Sequence, residues 1–133
     1  MTISRMATPN LLEKYKISFI NKITRLLEGT EFHRKIAVHE VSDDYWGYFL
    51  NHFTSVSDID EIIEDIDFIF SEGKYDPEYC LEIYLQSLTV RYTDTTARFL
   101  DENEERCIEE VPLYEMKEIL LLWKEFIQTD RKE

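Results

Sequence analysis

The chain has 133 residues, 44% of them hydrophobic and 14% aromatic, with a formal net charge of −13. That content suits a single domain, 1–133, with its own core and excludes a disordered chain; no run approaches the ~18 consecutive apolar residues of a membrane span. The acidity is one-sided: residues 1–56 carry seven Lys/Arg and six Asp/Glu, net +1, and residues 57–133 carry eight and twenty-two, net −14. Nucleic-acid binding is not expected, because phosphate contacts need Lys and Arg. Anionic lipid would be repelled, and a cationic protein attracted and steered.

At the N-terminus Arg5 has no apolar run behind it, so no signal peptide is expected. A cytoplasmic setting is expected, with Cys80 and Cys107 as reduced packing residues. Thr8-Pro9 can open a helix. Leu12, Tyr15, Phe19, Ile20, Ile23, Leu26 and Leu27 then recur at three- and four-residue steps up to Gly29, which predicts a helix over 10–28. In 31–41, Phe32, Ile36 and Val38 alternate but Arg34 shares their face, so a short strand or irregular segment is expected. Ser42-Asp43 can cap a second helix reaching Phe53, with Trp46, Phe49, Leu50 and Phe53 on its apolar side.

Ser57, with Asp60 three residues on, has the form of a capping box for a third helix. Ile59, Ile62, Ile63, Ile66, Ile69 and Phe70 make its apolar stripe, Gly73 closes it, and Asp76-Pro77 marks a turn. From Tyr79 the period becomes two. Leu81, Ile83 and Leu85, then Leu88, Val90 and Tyr92, then 97–100 and 106–111 read as strands, the last two joined by the polar turn 101–105. Short turns between sequential strands favour an antiparallel meander. Pro112 ends it, and a last helix over 113–128 buries Met116, Ile119, Leu120, Trp123 and Ile127. The expected fold is α+β, with N-terminal helices packed on a small antiparallel sheet and a C-terminal helix.

Catalytic motifs are missing. The three glycines, Gly29, Gly47 and Gly73, lie too far apart for a phosphate-cradling loop. His33 and His39 are six apart, which fits no zinc-ligand spacing, and the two cysteines lack a Cys-x-x-Cys pattern. No metal or cofactor is expected. The paired carboxylates Asp43/Asp44, Asp60/Glu61, Glu64/Asp65, Glu104/Glu105 and Glu109/Glu110 look solvated, whereas an acid–base pair needs two different, mostly dry environments.

The third helix carries the informative pattern. On a wheel of ~100° per residue Phe68 falls opposite the isoleucine stripe, among Glu61, Glu64, Asp65 and Glu72. An outward aromatic ringed by carboxylates has the form of an interface hot spot with steering charges. Asp60 at the head of this helix and Glu104 and Glu105 in the acidic turn complete the candidate partner-binding residues.

The closing run, Val111-Pro112-Leu113-Tyr114-Glu115-Met116-Lys117-Glu118-Ile119-Leu120-Leu121-Leu122-Trp123-Lys124-Glu125-Phe126-Ile127, resembles the end of small bacterial immunity proteins of contact-dependent inhibition and other polymorphic toxin systems. In those proteins a strand runs into a Pro-initiated helix with an Ile-Leu-x-x-Trp-Lys-x-Phe-like ending. The resemblance covers about the last third of the chain and implies a non-enzymatic inhibitor. It would bind a cognate toxin domain in the cytosol, in many cases a nuclease with a basic cleft, and occlude its active site. No binding residue carries over by motif, and Trp123 is expected in the core. The alternative expectation is an acidic nucleic-acid mimic that inhibits a DNA-binding enzyme.

Overall fold

The computed structural model describes residues 11–40, 45–74, 80–83 (backbone only), 88–101, 104 and 106–128. Among them are two antiparallel sheets and three helices. A hairpin pairs β1 (Ile17–Arg25) with β2 (Glu31–His39). Helices α1 (Tyr45–His52) and α2 (Val56–Glu72) follow. A four-stranded sheet then runs in sequence order through β3 (Cys80–Ile83), β4 (Leu88–Tyr92), β5 (Thr96–Leu100) and β6 (Cys107–Pro112), and leads straight into α3 (Leu113–Gln128). The fold is α+β, and the meander and last helix lie where the alternation and Pro112 place them. The Asp76-Pro77 turn and the proposed caps Ser42 and Asp43 lie outside the described residues.

The helix expected over 10–28 is not there. Residues 11–14 make one helical turn, closed by Tyr15 N donating to Leu11 O. Lys16 then takes a left-handed conformation, φ 57°, which a helix cannot continue through. Residues 17–25 extend instead and pair along their whole length with 31–39. Two residues of that series, Phe19 and Ile23, also fit alternation, as does Ile17 outside it, and β-branched residues favour the extended form. Gly29 serves the hairpin turn rather than a helix end. Its φ of 97° suits glycine, and its N–H bonds Leu26 O while Leu26 N bonds Thr30 O. The segment 31–41, expected to be short or irregular, supplies a full nine-residue strand.

Only the base of this hairpin is buried. Ile17, Ala37 and His39 enter the core, whereas β1 beyond Ile20 and β2 before Lys35 are exposed. The base is anchored by aromatic contacts. Phe19 lies 5.1 Å from Trp123 and 5.4 Å from Phe126, ring centre to ring centre. Tyr15, just ahead of β1, lies 5.7 Å from Trp46.

The centre of the core is a group of rings from two elements. Trp46 and Phe49 of α1 meet Phe99 of β5 at 5.0 and 5.6 Å, and Tyr45 reaches Phe99 at 5.0 Å. Phe99 shares the inward face of the meander with Val90 and Ala97, all fully buried. Trp123 of α3 is fully buried too, and its indole N–H donates to Phe53 O at 2.9 Å. Met116, Ile119 and Leu120 bury as the 113–128 pattern requires, while Ile127 is half-buried at the end of the helix.

Helix α2 starts two residues earlier than the capping pattern suggested. Ser55, not Ser57, is the cap, its hydroxyl accepting the Asp58 N–H at 3.2 Å. Two Ser-x-x-Asp patterns overlap here, and the first also frees Ile59 N to bond Ser55 O at 3.0 Å. Ile59, Ile62, Ile63, Ile66 and Ile69 are buried, and Gly73, φ 66°, closes the helix. Phe70 is 49% exposed rather than part of the stripe. Salt bridges Lys117–Asp67 and Lys124–Asp60 run α2 antiparallel to α3, and that register sets Phe70 level with the first turn of α3, where the covering helix has barely begun.

Phe99 touches Tyr45, Trp46 and Phe49 at once. Phe99→Ala is expected to cost about 3–5 kcal/mol, as for a fully buried aromatic, measured as a lowered denaturation midpoint at unchanged slope.

Candidate partner-binding face

Helix α2 has no Lys or Arg among its 17 residues. Its isoleucines turn inward. Glu61, Glu64, Phe68 and Glu72 line up outward at steps of three and four, all exposed, with Phe68 at 55%. The stripe is ~16 Å long at 1.5 Å per residue. Asp65 sits half-buried on its flank. Phe70 and Tyr114, 66% exposed, add apolar area near the far end.

Not every predicted site residue belongs to this face. Asp60 turns toward α3 and accepts from Lys124 Nζ at 2.6 Å, as Asp67 does from Lys117 Nζ at 2.6 Å. These bridges use both lysines of α3. Nothing cationic from α3 is then left to neutralise the outward carboxylates, although the bridges themselves contribute little stability at the surface. Glu104, in a left-handed turn position with φ 58°, is held by Arg91 Nε at 2.6 Å. That hydrogen bond outweighs a small desolvation and holds its carboxyl below the usual range. Neither Asp60 nor Glu104 is a spare charge for a partner. Glu105 lies outside the described residues.

A second group of polar side chains had no signal in the sequence, because its members are 64 to 101 residues apart. Tyr15 OH donates to Glu115 Oε1 at 2.5 Å, and Tyr45 OH donates to Glu109 Oε1 at 2.5 Å. Lys14 Nζ reaches both oxygens of Glu115 at 3.0 Å. Glu109, read as solvated, is half-buried on the inward face of β6, opposite Phe99. Burial, then the hydrogen bond and charge of Glu115, push the Tyr15 hydroxyl well above its ordinary value. It therefore stays protonated as a donor. Burial alone would raise Glu115, but the Tyr15 hydroxyl and the Lys14 ammonium together outweigh it and hold the carboxyl below its usual range. These pairs tie the first helical turn to α3 and α1 to β6.

His39 is buried and accepts the Trp46 N–H on Nδ1 at 3.2 Å, edge-on to Tyr45. It is part of the packing at the hairpin base. Cys107 is a half-buried free thiol, its Sγ 3.5 Å from Glu109 O. Among the described residues no group of three or more His, Cys, Asp or Glu could hold a metal ion, and no helix is long and apolar enough to cross a membrane.

Comparison with protein-family models, with curated proteins and with solved structures finds no match to this chain.

Because its folded value is depressed, Glu115 contributes stability that is complete above the range in which an unfolded carboxylate titrates. That contribution is lost as pH falls through the lower folded value. Urea titrations between pH 7 and pH 2.5 are expected to show an acid-side fall in stability that is shallower in Glu115→Gln. The variant is expected to be less stable at pH 7, having lost the charged acceptor for Lys14 and Tyr15.

Proposed function

We propose that the protein is an immunity protein: it binds a cognate bacterial toxin domain of basic character, one to one and without a cofactor, and neutralises it by occluding its active site. The observation that carries this reading is the stripe on α2, a half-exposed Phe68 flanked by Glu61, Glu64 and Glu72 on a helix with no positive charge of its own. Burying an aromatic ring at the centre of a contact provides affinity, while the surrounding carboxylates speed encounter with a cationic cleft and fix its orientation. The helix presenting them is pinned at both ends by Ser55 and Gly73 and along its length by α3. The face is therefore rigid before contact, and little ordering entropy is lost on binding. The resemblance of 111–127 to the immunity proteins supplies the class of partner.

The direct test is co-expression with the cognate toxin domain, sought among the neighbouring genes, read as growth rescue and as a stoichiometric complex. Growth arrest undiminished by co-expression, with no complex recovered, would refute the reading. Association is expected to slow steeply with added salt. A rate constant equal at low and high salt would remove the electrostatic part.

Phe68 is not needed by the core, so Phe68→Ala is expected to shift stability by no more than about 0.5 kcal/mol. It is expected to weaken the complex at least ~30-fold, from a hot-spot loss of ~2 kcal/mol. Glu64→Lys is expected to slow association more than it speeds dissociation. Calorimetric unfolding and surface-binding kinetics on the same two variants separate a contact role from a packing role.

A further inference from the structure

The outer part of β2 borders a groove of about 650 Å³ whose wall is made by the four successive residues His33, Arg34, Lys35 and Ile36, faced by Asn51 and Ile127. Side chains of successive strand residues point to opposite faces. A groove that touches four in a row must follow the backbone edge of the strand.

The direction of that backbone can be read from the hairpin. The hydrogen bonds Glu40 N–Lys16 O and Leu26 N–Thr30 O set the ladder at its two ends. Counting inward in register places Arg25↔Glu31, Ile23↔His33 and Phe19↔Ala37 in the non-bonded pairs, whose N–H and C=O point away from the partner strand. Asn51 shows what such a position accepts. Its Oδ1 takes the Ala37 N–H at 2.8 Å and its Nδ2 donates to Ala37 O at 2.9 Å. A side-chain amide here stands in for one residue of a third strand and closes the edge at Ala37. His33 and Glu31, with the same parity, direct their backbone the same way farther out.

The two-stranded ribbon is poorly covered as it stands. Ile20, Ile23 and Phe32 are 42, 54 and 55% exposed, and a lone hairpin is marginal in water. Its charge is opposite in sign to that of α2. Lys22 and Arg34 are register partners on one face, and His33 and Lys35 lie on the other. Lys35 Nζ bridges to Phe126 O at 2.9 Å, and Glu31 is the nearby acid, paired with Arg25.

We infer that the β2 edge beyond Asn51 is a second binding site, which takes an extended acidic segment of another protein as a third strand, backbone to backbone at His33, with its carboxylates toward Arg34 and Lys22. This goes beyond the inhibitor reading and uses a different face.

A fluorescein-labelled octapeptide of alternating Glu and Val, titrated into the full chain by anisotropy, tests it. The peptide is expected to bind, and its Lys/Val counterpart at least ~10-fold more weakly. Arg34→Glu is expected to weaken the Glu/Val peptide by a similar factor. His33→Pro removes an edge N–H while sparing the β1–β2 ladder, a position where Pro is tolerated; it is expected to lose at least ~10-fold in binding at near-native melting temperature. Methylating alternate amides of the peptide makes the same test on the unaltered protein, with the same loss expected. The inference is overturned by no binding of the Glu/Val peptide, by equal binding of its methylated form, or by binding that Phe68→Ala abolishes and Arg34→Glu leaves intact.

Discussion

The packing of Trp46 against Phe99, 5.0 Å apart and both fully buried, is the contact on which the other parts converge. The Trp46 backbone N–H is held by His39 at the foot of the hairpin, its ring meets Tyr15 from the first turn, and Phe99 sits at the middle of the meander. Helix, hairpin and sheet therefore share one dry junction, and dispersion in a packed interior rewards such a junction more than isolated pairs. The paired hydroxyls of Tyr15 and Tyr45 close its wet side on Glu115 and Glu109. Each of these two hydroxyls meets a carboxylate acceptor, which is the condition for placing carboxylates so near the core.

The segregation of charge follows from how the two long helices pair. Both α3 lysines reach across to Asp60 and Asp67, so positive charge is spent along the α2–α3 seam, and the far side of α2 is left with carboxylates alone. Four of the seven cations of the N-terminal part lie instead on the ribbon, at Lys22, Arg25, Arg34 and Lys35. One chain thus presents an anionic helix and a cationic strand edge on separate elements.

How much of this could be read from residues alone depended on the range of the deciding interaction. The meander and α3 were legible because period-two and period-3.6 patterns are local and Pro112 marks the passage from one to the other. The outward position of Phe68 followed from the same wheel. The N-terminal hairpin was not legible. Phe19, Ile20, Ile23, Leu26 and Leu27 satisfy helical steps, and what decides against a helix is pairing with 31–39 plus the left-handed turn at Lys16, neither of which leaves a periodic trace. Phe70 was misplaced because burial of a helix stripe depends on where the covering helix begins. The bonding of Asp60 to Lys124 and of Glu104 to Arg91 was hidden for a related reason: a carboxylate looks solvated until its cation, contributed by another element, is located.

The two indoles occupy chemically distinct surroundings. Trp46 is sealed among rings, with no acceptor for its Nε1 among the described residues, whereas the Trp123 Nε1 is committed to the Phe53 carbonyl. A hydrogen-bonded indole emits at longer wavelength than one in an apolar, aprotic shell. The native protein therefore carries two indoles in unlike surroundings, one at the hairpin–sheet junction and one where α3 meets Phe19. Loosening of either junction exposes its own indole to water, so the intrinsic ultraviolet emission of the protein reports on both without any label.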